Sequence, residues 1–185
     1  MKNNNSSIKT VVAVGIGAAL FFVLGRFVAI PSPVPNTNIS LQYAVLALLA
    51  AMYGPVAGGL IGFIGHTLID LSWGGSPWWS WVIASAFVGV VVGLFSKKLN
   101  LQEGEFSKKQ AALFALANIV AHLLAWVLVA PVLVYWPSTP SPSRRCLHRV
   151  HLPQCPTVSP LWWWAGLLVL AYTRTIAKKG SLDQE

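Results

Sequence analysis

Apolar stretches at 10–30, 39–53, 55–71, 78–95, 110–134 and 161–177 follow one another through this 185-residue chain with only short polar interruptions. Crossing a bilayer core of about 30 Å takes about 20 helical residues at 1.5 Å rise each. The runs at 10–30, 55–71, 78–95 and 110–134 approach or exceed that length, and the two shorter ones cross if tilted or partly buried against neighbours. Inside hydrocarbon every backbone polar group must be satisfied within the protein, which for runs of this length means helix. Composition agrees: 55% of residues are hydrophobic and 10% charged, outside the balance of soluble domains. The predicted fold is all-α, an integral membrane protein of six transmembrane helices forming a single membrane domain over residues 1–185.

The net charge of +8 does not point to nucleic acid, because the basic residues flank the apolar runs instead of lining one soluble face. Lys2 and Lys9 precede the first run, Lys97, Lys98, Lys108 and Lys109 bracket the one hydrophilic loop, and Lys178 and Lys179 follow the last run. Cytoplasmic loops concentrate Lys and Arg. Four spans separate the first two clusters and two separate the next pair, so all three clusters fit the cytoplasmic side, with both termini inside a multi-pass cell-membrane protein. The first run is longer than a signal-peptide core and is followed by "IPSPVPN", which reads as an uncleaved helix.

Residues 136–160 break this pattern. They hold six of the twelve prolines, both cysteines, two of the four histidines and three of the five arginines. A proline-rich span would leave backbone groups unpaired, and exterior arginines oppose the charge bias. The stretch reads as atypical, as a shifted reading frame would produce. Cys146, His148, His151 and Cys155 fit no common zinc spacing, so no metal is expected.

Polar groups inside the spans narrow the function. Gly58, Gly62, His66 and Asp70 recur every four residues and form one drifting stripe. Its inner half is bare enough for close helix contact, while its outer half carries ionisable groups that belong in a protein interior or wet cavity. Asp70 is the only acid outside the hydrophilic loop and the C-terminal tail. Directly beyond it stand Trp73, Trp78, Trp79 and Trp81, which suit either an interfacial aromatic belt or the stacking walls of a ligand pocket. In the fifth run Asn118, His122 and Trp126 repeat the four-residue spacing, and the exterior loop adds Asn36, Asn38, Gln42 and Tyr43. Amide, imidazole and indole groups together suit a flat, nitrogen-containing ring. Arg26, near the outer end of the first run, either snorkels or pairs with Asp70.

Enzyme chemistry has no foothold here. The phosphate loop G-x-x-x-x-G-K-[ST] and the nucleophile elbow G-x-S-x-G are both missing from the sequence, and no cofactor is implied. The first run instead offers a surface: "AVGIGAA" clusters Ala13, Gly15, Gly17, Ala18 and Ala19, giving the small-xxx-small pairs Ala13/Gly17 and Gly15/Ala19.

Six spans in under 200 residues, the motif "AVGIGAA", the passage "PSPVPNTNISLQYAVLALLAAMYGPVAGGLIGFIGHTLIDL" and the outer tryptophan cluster together resemble the substrate-binding S components of energy-coupling factor (ECF) vitamin transporters, most closely the hydroxymethylpyrimidine or pyridoxine type. The resemblance covers residues 8–135. It implies a membrane subunit, not an enzyme, that captures a small heteroaromatic vitamin or precursor from outside. Its implied partners are a transmembrane coupling protein, the T component, and two cytoplasmic ATPases. It also implies that the small residues of the first helix, here Ala13 and Gly17, meet the coupling protein. The rival reading is a membrane scaffold whose tryptophans only anchor it.

Overall fold

The computed structural model describes residues 2–31, 38–73, 76–99, 101 and 107–135. The predicted sixth span at 161–177, the atypical stretch at 136–160 and Asn36 lie outside the described residues. Helix α1 runs Lys2–Phe27, α2 Gln42–Tyr53, α3 Pro55–Ser72, α4 Trp79–Leu94, α5 Ser96–Leu99, α6 Lys108–Leu123 and α7 Ala130–Tyr135. Between α6 and α7 a π-helical segment, Leu124–Val129, keeps the chain helical with a wider turn.

All-α holds for the spans but not for one connection. Strands β1 (Ala29–Pro31) and β2 (Asn38–Ser40) pair antiparallel, with Ile30 opposite Ile39. The expected first span at 10–30 therefore stops early, at Phe27. Pro31 and Pro33 forbid continuation of the helix, and the residue before a proline is pushed into extended backbone. Two short extended arms entering and leaving the same loop then pair with each other.

Three stretches are long and apolar enough to cross a membrane: Ser7–Phe27, Pro55–Ser72 and Lys108–Leu133. Gln42–Tyr53 and Trp79–Leu94 are shorter apolar helices. Large apolar side chains such as Val11, Ile16, Val56, Leu94, Val127 and Leu128 face outward, as they must where the solvent is hydrocarbon. The core is a second apolar set, with Phe21, Leu46, Ile61, Val82, Val88, Val92 and Phe114 fully buried.

Two features lock α3 into the bundle. Gly54, at φ +89°, caps α2 by donating its N–H to the Ala50 carbonyl (2.9 Å), and Pro55 opens α3 directly after it, a hairpin that glycine and proline make at little conformational cost. The glycines of α3 then meet α4 at backbone distance. A Cβ on Gly58 would overlap the Gly89 carbonyl, and one on Gly62 would overlap that of Ser85. Close backbone approach of this kind is what holds helices together in lipid, where apolar burial adds nothing. It also fixes the register of α4, bringing Ser85 beside the next turn of α3. Successive helices run in opposite directions, so the end of α1, the start of α2, the end of α3 and the start of α4 collect at one end of the bundle.

Candidate functional site

That end carries the polar groups. Ser85 on α4 is fully buried and sits between two others: its Oγ is 2.6 Å from His66 Nδ1 on α3 and 2.9 Å from Tyr43 Oη on α2. His66 Nε2 faces Asp70 Oδ1 at 3.8 Å, too far for a hydrogen bond but close enough to favour an N–H there. With the proton on Nε2, Nδ1 accepts from Ser85 and Ser85 accepts from Tyr43, so one direction satisfies the whole chain. Asp70 has a second role. Its Oδ2 accepts the backbone N–H of Trp78 at 2.8 Å, tying the end of α3 to the start of α4. The order Ser85, His66, Asp70 carries the residue types of a hydrolytic triad, yet Ser85 Oγ is engaged on both sides and shut from solvent, which suits a positioning network.

Around this chain lies a connected set of aromatic rings. Phe21 on α1 stands edge-on to Tyr43 (5.4 Å between centroids, 85°) and lies 6.2 Å from His66. Gly65 leaves the space that Phe21 fills. Tyr43 is edge-on to His122 (5.4 Å) and to Trp126 (6.1 Å), and Trp81 is edge-on to His66 (6.4 Å), Trp78 (5.6 Å) and Trp126 (5.4 Å). Five helical stretches, α1, α2, α3, α4 and the run of α6 into the π-helical segment, each contribute at least one ring. T-shaped contacts place ring edges on the electron-rich faces of their neighbours, the favoured geometry for such pairs.

The predicted site residues divide accordingly. Tyr43, His66, Asp70, Trp78, Asn118 and His122 belong to or border the cluster. Asn118 is buried, but its side-chain amide donates to the Phe114 carbonyl at 2.8 Å, and it is the backbone carbonyl of residue 118 that accepts from His122 Nδ1 at 2.9 Å. Gln42 is buried with its Oε1 against Gly25 of α1. Asn38 is in β2. Two tryptophans lie elsewhere. Trp73 is 69% exposed and lies under the Arg26 guanidinium at 3.9 Å, and Trp79 faces outward against Phe63; both suit the membrane interface. Arg26 donates to Ser72 Oγ at 3.1 Å, so it serves the rim and does not pair with Asp70. Sequence reasoning missed Phe21 and Ser85, and left Trp81 between aromatic belt and pocket wall. The small polar residue in "VIASAFVG" was the available signal for Ser85.

On α1 the small residues split between two faces. Ala13, Gly17 and Ala18 are buried, and a Cβ on Gly17 would strike Leu49 and Ile61. Gly15 and Ala19 are exposed, and a Cβ on Gly15 would meet open space. Gly17 thus packs against α2 and α3 of its own chain and Ala13 is buried too, while Gly15 has open space beside it.

Comparison with known proteins adds the decisive observation. The family described as ECF-type riboflavin transporter, S component, matches residues 5–142. The chain belongs to this family. As a member of the ECF S components it is an integral membrane, substrate-binding subunit of a transporter. It is also similar to UPF0397 proteins along its length: 45% identical to one from Clostridium perfringens (strain ATCC 13124) with all of both chains covered, and 42% identical to one from Staphylococcus aureus (strain Newman), again with full coverage. One from Streptococcus agalactiae serotype Ia is 43% identical over 98% of this chain and all of its own. No solved structure matches.

Proposed function

We propose that this S component captures a small, single-ring heteroaromatic vitamin or precursor, of the hydroxymethylpyrimidine or pyridoxine class, from the exterior face of the cell membrane. The observation that carries this reading is the ring cluster running from Phe21 through Tyr43, His66 and Trp81 to Trp126, gathered from five helical stretches at one end of the bundle. The matched family is described by riboflavin, a three-ring compound. In this chain the rings already touch at 5.4–6.4 Å, so a single ring would enter with less displacement of the walls.

The basic clusters favour cytoplasmic termini, which turns this end of the bundle outward. Release inward would then be driven by partner proteins: a transmembrane T component and two cytoplasmic ATPases. The outward face of α1, with Gly15 and Ala19 flanked by the exposed Val11, Val12, Ile16 and Leu20, is the surface that would meet the T component. Gly15→Leu, which has room in the isolated subunit, should abolish co-purification with the T component while leaving ligand binding intact.

The direct test is titration of the purified protein with a panel of vitamins, following tryptophan fluorescence. Quenching by a single-ring compound supports the proposal. Flat titrations across the panel would favour the membrane scaffold instead.

A further inference from the structure

Among the described residues three buried side-chain atoms have no hydrogen-bond partner: Gln42 Oε1, His122 Nε2 and Trp126 Nε1. The first rests against α1. The other two are four residues apart, on one face of the same helical run, and each stands against the ring of Tyr43. A buried polar atom left unpaired costs about 1–3 kcal/mol, and native interiors leave few of them. Two on one face, set among aromatic rings, call for a partner that the described residues do not supply.

Their chemistry is fixed by their surroundings. His122 Nδ1 lies 2.9 Å from the Asn118 carbonyl oxygen. A carbonyl only accepts, so Nδ1 carries the hydrogen, and in the neutral ring Nε2 is left as an acceptor. Trp126 Nε1 carries a permanent hydrogen and only donates. The face thus offers an acceptor and, one turn on, a donor. The backbone supplies an independent sign. The π-helical segment begins at Leu124, between these two residues, and contains Trp126. Such segments make up well under 1% of residues and concentrate at functional sites, because the extra residue in the turn re-aims the side chains it carries.

We propose that His122 and Trp126 read one edge of the ligand, and that this edge bears a hydrogen-bond donor beside an acceptor, as in an amidine or a lactam. The ligand donor goes to His122 Nε2, its acceptor receives the Trp126 N–H, and its flat faces lie against Tyr43 and Trp81. This rests on the capture of a heteroaromatic ring proposed above and narrows it. A 4-aminopyrimidine carries the edge in its amino group and adjacent ring nitrogen. The pyridine of pyridoxine, with no N–H beside its ring nitrogen, does not.

The test uses full-length protein in lipid nanodiscs and three probes: 4-amino-5-hydroxymethyl-2-methylpyrimidine, the same compound without its 4-amino group, and pyridoxine. In the wild type, loss of the amino group should weaken binding at least about tenfold, as expected when a buried acceptor is left unpaired. The hydrogen left in its place is smaller than the amino group, so crowding cannot mimic this result. Trp126→Phe and His122→Phe should each weaken the aminopyrimidine about tenfold; His122→Phe should also shrink the penalty for amino-group removal to about twofold or less, whereas Trp126→Phe, which leaves the acceptor in place, should keep it. Equal binding of the two pyrimidines to the wild type, or unchanged discrimination in His122→Phe, overturns the edge-reading proposal while leaving capture of a ring intact. Binding of none of the three, nor of riboflavin, overturns both.

Discussion

On α3 and on α6 the sequence places polar side chains at the same four-residue interval, but the two faces end differently. The α3 face closes within the chain: His66 meets Ser85, Ser85 meets Tyr43, and Asp70 holds the Trp78 N–H. The α6 face stays open. The Asn118 amide is spent on the Phe114 carbonyl, and among the described residues the outer atoms of His122 and Trp126 meet no partner. The difference comes from the neighbouring helix. Glycines at 58 and 62 draw α4 onto α3 until a serine reaches the imidazole, whereas α6 meets its neighbours through the bulky rings of Tyr43 and Trp81. Periodicity identifies a face that turns inward; the residue opposite decides whether that face builds structure or waits for a ligand.

The harshest way to break this contrast is to push α4 off α3. Gly58→Leu places a side chain where the Gly89 carbonyl now lies, and neither backbone can yield without parting the helices. The expected loss is about 3 kcal/mol or more, the upper range of overpacking, read as a large fall in the thermal unfolding temperature of the purified protein. It should also remove ligand binding, since Ser85 would leave His66. A variant that melts normally would show that the close crossing does not set the position of Ser85.

Ser85→Ala probes the closed face more gently. It removes one hydroxyl but strands two buried groups, Tyr43 Oη and His66 Nδ1. Interhelical hydrogen bonds in membranes average only about 0.6 kcal/mol, while a stranded buried group costs about 1–3 kcal/mol. The expected total is about 1–2 kcal/mol, dominated by the stranding. A double-mutant cycle with Tyr43→Phe separates the two contributions: the second change should cost less in the Ser85→Ala background than in the wild type, because Tyr43 has by then already lost its partner. Strict additivity would mean that the two hydroxyls do not interact.

Much of the closed face was readable beforehand. The stripe from Gly58 to Asp70, the Gly54–Pro55 hairpin and the inward position of His122 follow from spacing and from the demands of lipid on polar groups. What spacing could not reveal was which side chain stands across the interface. Ser85 carries no periodic signal, because its importance lies in Gly62 opposite. Trp73, Trp78, Trp79 and Trp81 are alike in composition, yet Trp78 and Trp81 join the cluster while Trp73 stacks on Arg26 and Trp79 faces lipid. The two small-residue pairs of α1 look equivalent in sequence until Leu49 and Ile61 close on Gly17 and leave Gly15 open.

The smallest expected effect on the fold is the most telling for function. Trp126→Phe deletes an N–H that no acceptor among the described residues receives and keeps an aromatic ring against Tyr43 and Trp81. If the open face exists for a ligand, losing its donor forfeits no internal hydrogen bond and relieves a buried polar group, so only the reduced ring area counts against the variant. The net change in stability should stay within about 0.5 kcal/mol of the wild type, as at sites where no named contact is lost. Thermal unfolding without ligand measures it. A saturating ligand should raise the unfolding temperature of the wild type more than that of the variant, because stabilisation by a ligand grows with its concentration relative to Kd. Were Trp126→Phe to destabilise the unliganded protein as much as Ser85→Ala does, its N–H would have to be serving the fold. The two faces would then differ only in how they are satisfied, not in what they are for.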